Sequence, residues 1–263
     1  MNTVRFLIAA VVLFSLAPRD VNAQATPAQS PPIPSAQIPA AVAAAVDSAD
    51  RSAADRELDA SRKPKQFLAF FDIAPGMQVG DLFAGGGWLT ELLARTVGPT
   101  GKVYSVNGEF PARFKQVEAD WRARLRKPEL ANVVAVQKPL DSPDLFGVKP
   151  ATLDAVLIHL NYHDFVASGI DPNRVNAEVF KALKPGGVYG IVDHSAEKGS
   201  GTRDANTLHR IDEQHVIAEV EKAGFKLAAS SSALRHSDDS RKWFVFHRRG
   251  QTDRFILKFV KPK

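Results

Sequence analysis

"DLFAGGGWLT", residues 81 to 90, places three consecutive glycines between an aspartate and a tryptophan, directly after the strand-like stretch "MQVG" at 77 to 80. A glycine turn between a strand and a helix lets backbone amides approach a ligand closely, and the helix start adds a positive field. The pattern G-x-G-x-x-G of dinucleotide sites needs a third glycine where this chain has Thr90, counting from Gly85 and Gly87. A P-loop needs lysine followed by serine or threonine after the glycines, and Trp88-Leu89 stand there instead. The acid at the strand end, Asp81, would repel a pyrophosphate and suits a ligand carrying positive charge.

Outward from this turn, short apolar runs alternate with helical ones. "MQVGDLF" reads as a first strand, Trp88 to Val97 as a helix, "GKVYSVN" as a second strand and Pro111 to about Leu125 as an amphipathic helix. "NVVAVQ" and "LDAVLIHL" are the third and fourth strands, and Val175 to Leu183 is a helix stopped by "KPGG". "VYGIVDH" is the fifth strand, Asp212 to Ala223 a helix, and "FKLAASSSAL" and "DRFILKFV" the last two strands. Strands alternating with helices predict a mostly parallel sheet of seven strands with helices on both faces. Residues 236 to 252 contain no convincing helix, so the last two strands are expected to pair as an antiparallel hairpin with a long loop.

Upstream, "QATPAQSPPIPSAQIPA" at 24 to 40 lacks periodicity and is too poor in large apolar residues to fold alone, so it reads as a flexible leader. Residues 41 to 63 form a helical extension, and the domain proper runs from 64 to 263, opening with a helix from Pro64 to about Phe71. Residues 1 to 23 carry Arg5, the apolar stretch Phe6 to Ala17 and the small-x-small site Val21-Asn22-Ala23, the pattern of a cleaved signal peptide. The apolar stretch is too short to cross a bilayer. An exported, periplasmic protein without a membrane span after processing is therefore expected.

The chain has no cysteine, which excludes disulfides, thiolate metal sites and cysteine nucleophiles. Its formal charge of +5 becomes +4 once Arg5, Arg19 and Asp20 leave with the signal. Basic residues gather at the carboxyl end, but without the interleaved aromatics of a nucleic-acid surface, and no nucleic-acid partner is expected.

The arrangement of an acid followed by F-x-G-x-G resembles motif I of the class I S-adenosylmethionine-dependent methyltransferases, with Phe83 where the first glycine usually stands. Further similarity runs through "IAPGMQVGDLFAGGGWLTELLARTVGPTGKVYSVN", "DAVLIHLNYHDF", "LKPGGVYGIVDHSA" and "TDRFILKFVKPK". These stretches resemble a bacterial group of often exported methyltransferases of this class. The resemblance implies a Rossmann-like class I methyltransferase fold, S-adenosyl-L-methionine as cofactor, and methyl transfer to a small-molecule or envelope-associated acceptor. It implies cofactor contacts from Asp81, Phe83, Ala84, Gly85, Gly86 and Gly87, and, at the strand ends, from Asn107, Asp141 and Asn161. Asn107 stands where an acid usually binds the ribose; Glu109 nearby reads as a solvated loop residue.

The fourth strand exits into "NYHD", at the crevice of an open parallel sheet. His163 is the expected proton acceptor, Asp164 its orienting partner and His194 the second candidate base. Asp193-His194 and His163-Asp164 could converge on a cation, yet spacing alone does not establish this and no metal is assigned. His159, inside the strand, reads as a core histidine. The polar run 196 to 210 is expected to cover the acceptor site, with Arg203, His209 and Arg210 available to an acidic substrate. The competing reading is a non-catalytic exported module that uses the same fold to bind a nucleoside-like or envelope ligand.

Overall fold

A computed structural model describes residues 29 to 34 and 37 to 263. The signal-peptide reading of residues 1 to 23 lies outside the described residues. Eight strands form one sheet in the order β1-β7-β8-β6-β5-β2-β3-β4. They are β1 (Gln29–Ser30), β2 (Gln78–Leu82), β3 (Lys102–Asn107), β4 (Val133–Gln137), β5 (Leu153–His159), β6 (Leu183–His194), β7 (Lys226–Ser231) and β8 (Arg254–Val260). The helices are α1 (Ala40–Asp47), α2 (Ala53–Arg62), α3 (Pro64–Phe70), α4 (Trp88–Val97), α5 (Lys115–Arg124), α6 (His163–Ala167), α7 (Pro172–Ala182), α8 (Ala205–Leu208) and α9 (Glu213–Lys222).

The central strands pair in parallel, and β8 runs antiparallel between β6 and β7, in keeping with a connection at 236 to 252 that holds a short 3-10 helix at Val245–Arg248 but no α-helix. The sheet has eight strands rather than seven. The additional strand comes from the proline-rich segment expected to stay flexible: Gln29 and Ser30 pair in parallel with β7. Beyond them, the Gln66 side chain accepts from the Ile33 amide and donates to its carbonyl. A segment poor in large apolar groups is held here by hydrogen bonds to a sheet edge and a glutamine, a long-range pairing that composition does not reveal.

Two apolar layers cover the sheet. One packs Val156, Ile158, Tyr189, Ile191 and Leu257 against Val175, Val179, Val216 and Val220 of α7 and α9. The other packs Val79, Val103, Leu157 and Ile256 against Leu89, Leu92, Leu93, Phe67, Leu68 and, from α1, Val42 and Val46. Fully buried strands read as continuous apolar runs because both faces are covered. Gly190 marks how tightly the second layer approaches: a Cβ there would lie 2.5 Å from Leu157 and 2.9 Å from Phe71.

The order reverses between β2 and β5. The chain winds outward from β2 through β3 to β4, then returns to the other side of β2 as β5. In open parallel sheets such a reversal leaves a crevice beyond the carboxyl ends of the two strands. The glycine turn follows β2 and "NYHD" follows β5, so topology alone brings these stretches together.

Candidate active site

The glycine turn is built by residues expected to touch a ligand. Asn107, at the end of β3, accepts from the Gly85 amide at 2.8 Å and donates to the Gly85 carbonyl at 3.1 Å. Asn161, beyond β5, donates to the Phe83 carbonyl at 2.6 Å. Asp81 is 1% exposed, and its carboxylate accepts from the Thr90 hydroxyl in the first turn of α4. Ser105 in turn donates to Thr90, and the Trp121 indole donates to Ser105, each at 2.9 Å. This hydrogen-bonded chain joins β2, α4, β3 and α5 beneath the turn. Burial pushes the Asp81 carboxyl up to about 7 against the opposing bonds from Thr90.

The side chains of Asn107 and Asn161 thus bond the backbone of the turn, and that of Asp81 bonds Thr90 beneath it. Phe83 holds a left-handed backbone, φ 59°, which costs a residue with a Cβ about 1–2 kcal/mol. Its ring, partly buried, stacks on Phe165 at 6.1 Å and packs against the core. Phe83 to Gly86 remain partly exposed, and the space above Gly85, φ 57°, is open. Gly87 is the opposite case, since a Cβ there would meet Arg124 at 3.1 Å and Trp121 at 3.3 Å. Arg124 also donates to the Gly86 carbonyl at 2.9 Å.

Farther out, Asp141 is partly exposed and its nearest cation is Arg174 at 3.8 Å. Glu109 is exposed, in keeping with a solvated loop position. On the other side of the turn, Arg62 stacks over Trp88, 4.5 Å from the ring centroid. Arg254, 2% exposed, donates to the carbonyls of Thr252 and Ser61. Among the described residues no carboxylate lies within ion-pair distance of either arginine, and burial pushes both down to about 10. His159 lies between Phe67 and Trp88, 5.1 Å from each ring. It is a core histidine as expected, but its Nε2 has no hydrogen-bond partner.

The second half of the site gathers around His163. Its Nδ1 sits 2.8 Å from Asp193 Oδ1, and its amide donates to Asp193 Oδ2 at 2.8 Å. Asp193, fully buried, also accepts from the His194 amide. Asp193 therefore orients His163, in the role expected of Asp164. Asp164 lies on the opposite side of the ring, Oδ1 3.4 Å from Nε2. His209, carried over the crevice by the segment after β6, places Nδ1 3.1 Å from His163 Nε2 and 3.4 Å from Asp164 Oδ1. Desolvation works against a charged His163, but the charge and hydrogen bond of Asp193, with Asp164 behind it, lift the imidazole above its ordinary value. Desolvation raises Asp164 and, with repulsion from His163, lowers His209.

His194 does not join this group. Its Nδ1 bonds Thr252 at 2.9 Å, its ring centre is 6.0 Å from that of His163, and desolvation together with His163 holds it neutral. The segment 196 to 210 does lie over the site, anchored by the bridge between Ser195 and Ile211 and by Asp212, which accepts from the Gly199 amide. Its arginines are committed: Arg210 is fully buried on Asp239 and the Ser195 carbonyl, and Arg203 pairs with Asp204 and Glu197. His209, grouped with them as a substrate contact, belongs to the His163 cluster instead. No local signal tied His209 to His163; only the path of the chain after β6 does so.

No family model matches the chain. Among solved structures, a SAM-dependent methyltransferase from Aquifex aeolicus aligns with a TM-score of 0.58 at 18% identity, over 79% of this chain and 94% of that one. An arsenic(III) S-adenosylmethionine methyltransferase from Chlamydomonas reinhardtii aligns with a TM-score of 0.54 at 19% identity, over 86% and 74%. The (4+2)-cyclase SpnF aligns with a TM-score of 0.56 at 15% identity, over 82% and 85%. The fold is that of the class I S-adenosylmethionine-dependent methyltransferases.

Proposed function

We propose that the protein binds S-adenosyl-L-methionine at the glycine turn and transfers its methyl group to an acceptor held at the His163 cluster. The observation that carries this reading is the juxtaposition at the sheet reversal. A braced turn with open space over Gly85 lies beside a buried Asp193–His163 pair, linked by Asn161 two residues before His163. The cofactor would supply an electrophilic methyl carbon on a sulfonium. The residues present fit its methionine end: backbone from Phe83 to Gly86 offers close approach, and Arg62, stacked on Trp88 at the start of α4, offers a charge to a carboxylate. Methyl transfer is an in-line displacement, so the chain's tasks are to position the acceptor and to manage its proton. His163, held by Asp193, turns Nε2 toward the acceptor side with Asp164 and His209 around it.

One observation favours the second reading, a binding module without methyl transfer. Asn107, at the ribose position, is engaged by the Gly85 peptide, and the fold by itself does not specify a reaction. An exported location is retained as part of the proposal on the strength of the amino-terminal sequence.

Titration calorimetry of the full chain with S-adenosylhomocysteine and with NAD separates the readings. Heat is expected from the sulfur compound and not from NAD. Arg62→Ala should weaken binding about 10- to 100-fold, the scale of one hydrogen bond to a charged group. Absence of binding, or equal binding of NAD, sinks the assignment.

A further inference from the structure

We propose that His163 Nε2, His209 Nδ1 and Asp164 Oδ1 form a three-ligand site for a divalent transition-metal ion. These atoms converge as a nearly equilateral triangle with edges of 3.1, 3.4 and 3.4 Å. Imidazole nitrogens and carboxylate oxygens bind such ions at about 2.1 Å, so two ligands subtending an angle between 90° and the tetrahedral value lie about 3.0–3.4 Å apart. The observed edges are those of one coordination face.

Counting hydrogens supports a cation over a hydrogen-bond network. Asp193 accepts from Nδ1–H of His163, which leaves the Nε2 lone pair directed into the triangle. The Asp164 oxygen brings another lone pair to the same place. A single N–H on His209 Nδ1 points at one of them and leaves the other facing a lone pair. One proton, on either His163 Nε2 or His209 Nδ1, serves the 3.1 Å contact between the two rings and leaves the Asp164 oxygen 3.4 Å from both nitrogens, longer than a charged hydrogen bond of about 2.7–2.9 Å.

The supporting groups also match a metal centre. A ligating histidine ordinarily donates its other ring N–H to a carboxylate or carbonyl, and Asp193 fills that role with its own oxygens saturated by the His163 and His194 amides. His209 is packed at 5.3 Å against both Phe244 and Phe246, which wall one side of the group. Two imidazoles and one carboxylate select zinc, manganese, iron(II) or cobalt over magnesium or calcium, which favour all-oxygen shells. Three protein ligands on one face leave the opposite face for water or an acceptor oxygen. The site stands on this geometry alone; its use in holding a methyl acceptor rests on the function proposed above.

The full chain, freed of metal with a chelator and dialysed, is titrated with Co²⁺ by visible absorption and with Zn²⁺, Mn²⁺ and Mg²⁺ by calorimetry. One equivalent of Co²⁺ and Zn²⁺ should bind, with Mg²⁺ at least 10-fold weaker. His209→Ala and Asp164→Ala should each lower Zn²⁺ affinity at least 100-fold while leaving the far-ultraviolet circular dichroism unchanged. Asp193→Asn should lower it about 10- to 100-fold. His209, partly exposed, is the first variant because its loss need not disturb the core. No stoichiometric binding, or binding unchanged in both alanine variants, overturns the site. S-adenosylhomocysteine is titrated into the same metal-free protein, so failure of cofactor binding and failure of metal binding are read separately.

Discussion

Asp81 shows how one buried carboxyl can carry a pH dependence. Its ordinary value is 3.8, and burial raises it to about 7 in the folded protein. The folded state therefore binds this proton more tightly than the unfolded state does, so stability falls as pH rises from about 4 to about 7 and stays lower above that. The displacement corresponds to on the order of 4 kcal/mol. Asp81→Asn, which keeps an oxygen for Thr90 and removes the ionisation, should flatten this slope and raise stability at pH 8 relative to pH 5. Urea unfolding at several pH values measures it; an unchanged slope would show that Asp81 does not set it. The aspartate was visible in the sequence as a strand-end acid. Its role was not, because a side chain at that position can turn toward the crevice or under the helix, and Thr90 with Ser105 and Trp121 decides for the latter.

The glycine turn raises the corresponding question for an element. Asn107 holds the Gly85 peptide by an accepted and a donated hydrogen bond, and a side-chain amide presents both groups where a carboxylate only accepts. Asn107→Asp tests this, since a carboxylate keeps the acceptor and sets a negative oxygen against the Gly85 carbonyl. A loss of about 1–3 kcal/mol is expected on thermal or urea unfolding, with weaker binding of S-adenosylhomocysteine. A residue acting on a ribose would give the reverse, with aspartate binding more tightly. The limits of β2, β3 and α4 were legible because apolar runs and glycine punctuation are local signals. The brace was not, since it joins the ends of two strands that lie side by side only in the sheet.

For the molecule as a whole, the amino-terminal helices are joined to the glycine turn through Arg124. This residue of α5 pairs with Asp55 of α2 and Glu91 of α4 while bonding the Gly86 carbonyl. Glu91, 1% exposed, is shared with Arg95 and Lys127, and α1 buries Val42 and Val46 in the same layer. Arg124→Ala leaves Asp55 without its cation in a largely buried setting, which costs about 3–5 kcal/mol. It also frees the turn at Gly86. A lowered melting temperature together with weaker S-adenosylhomocysteine binding is expected; lost binding at unchanged stability would break the proposed link. The sequence of residues 41 to 63 shows a helical extension but not where it docks, because charge pairing across tens of residues leaves no periodic trace.

By itself the sequence determined the alternation of strands and helices, the antiparallel close of the sheet and the glycine turn, since each follows from local periodicity and backbone freedom. It also brought His163 to the crevice, because "NYHD" follows a strand next to the reversal of the sheet. Tertiary structure alone decided that Asp193 orients His163, that His209 completes the cluster with Asp164, and that Asp81, Asn107 and Asn161 support the turn. Those choices depend on which side chains meet across the sheet edge, and hydrogen-bond partners far apart along the chain are selected by packing rather than by spacing.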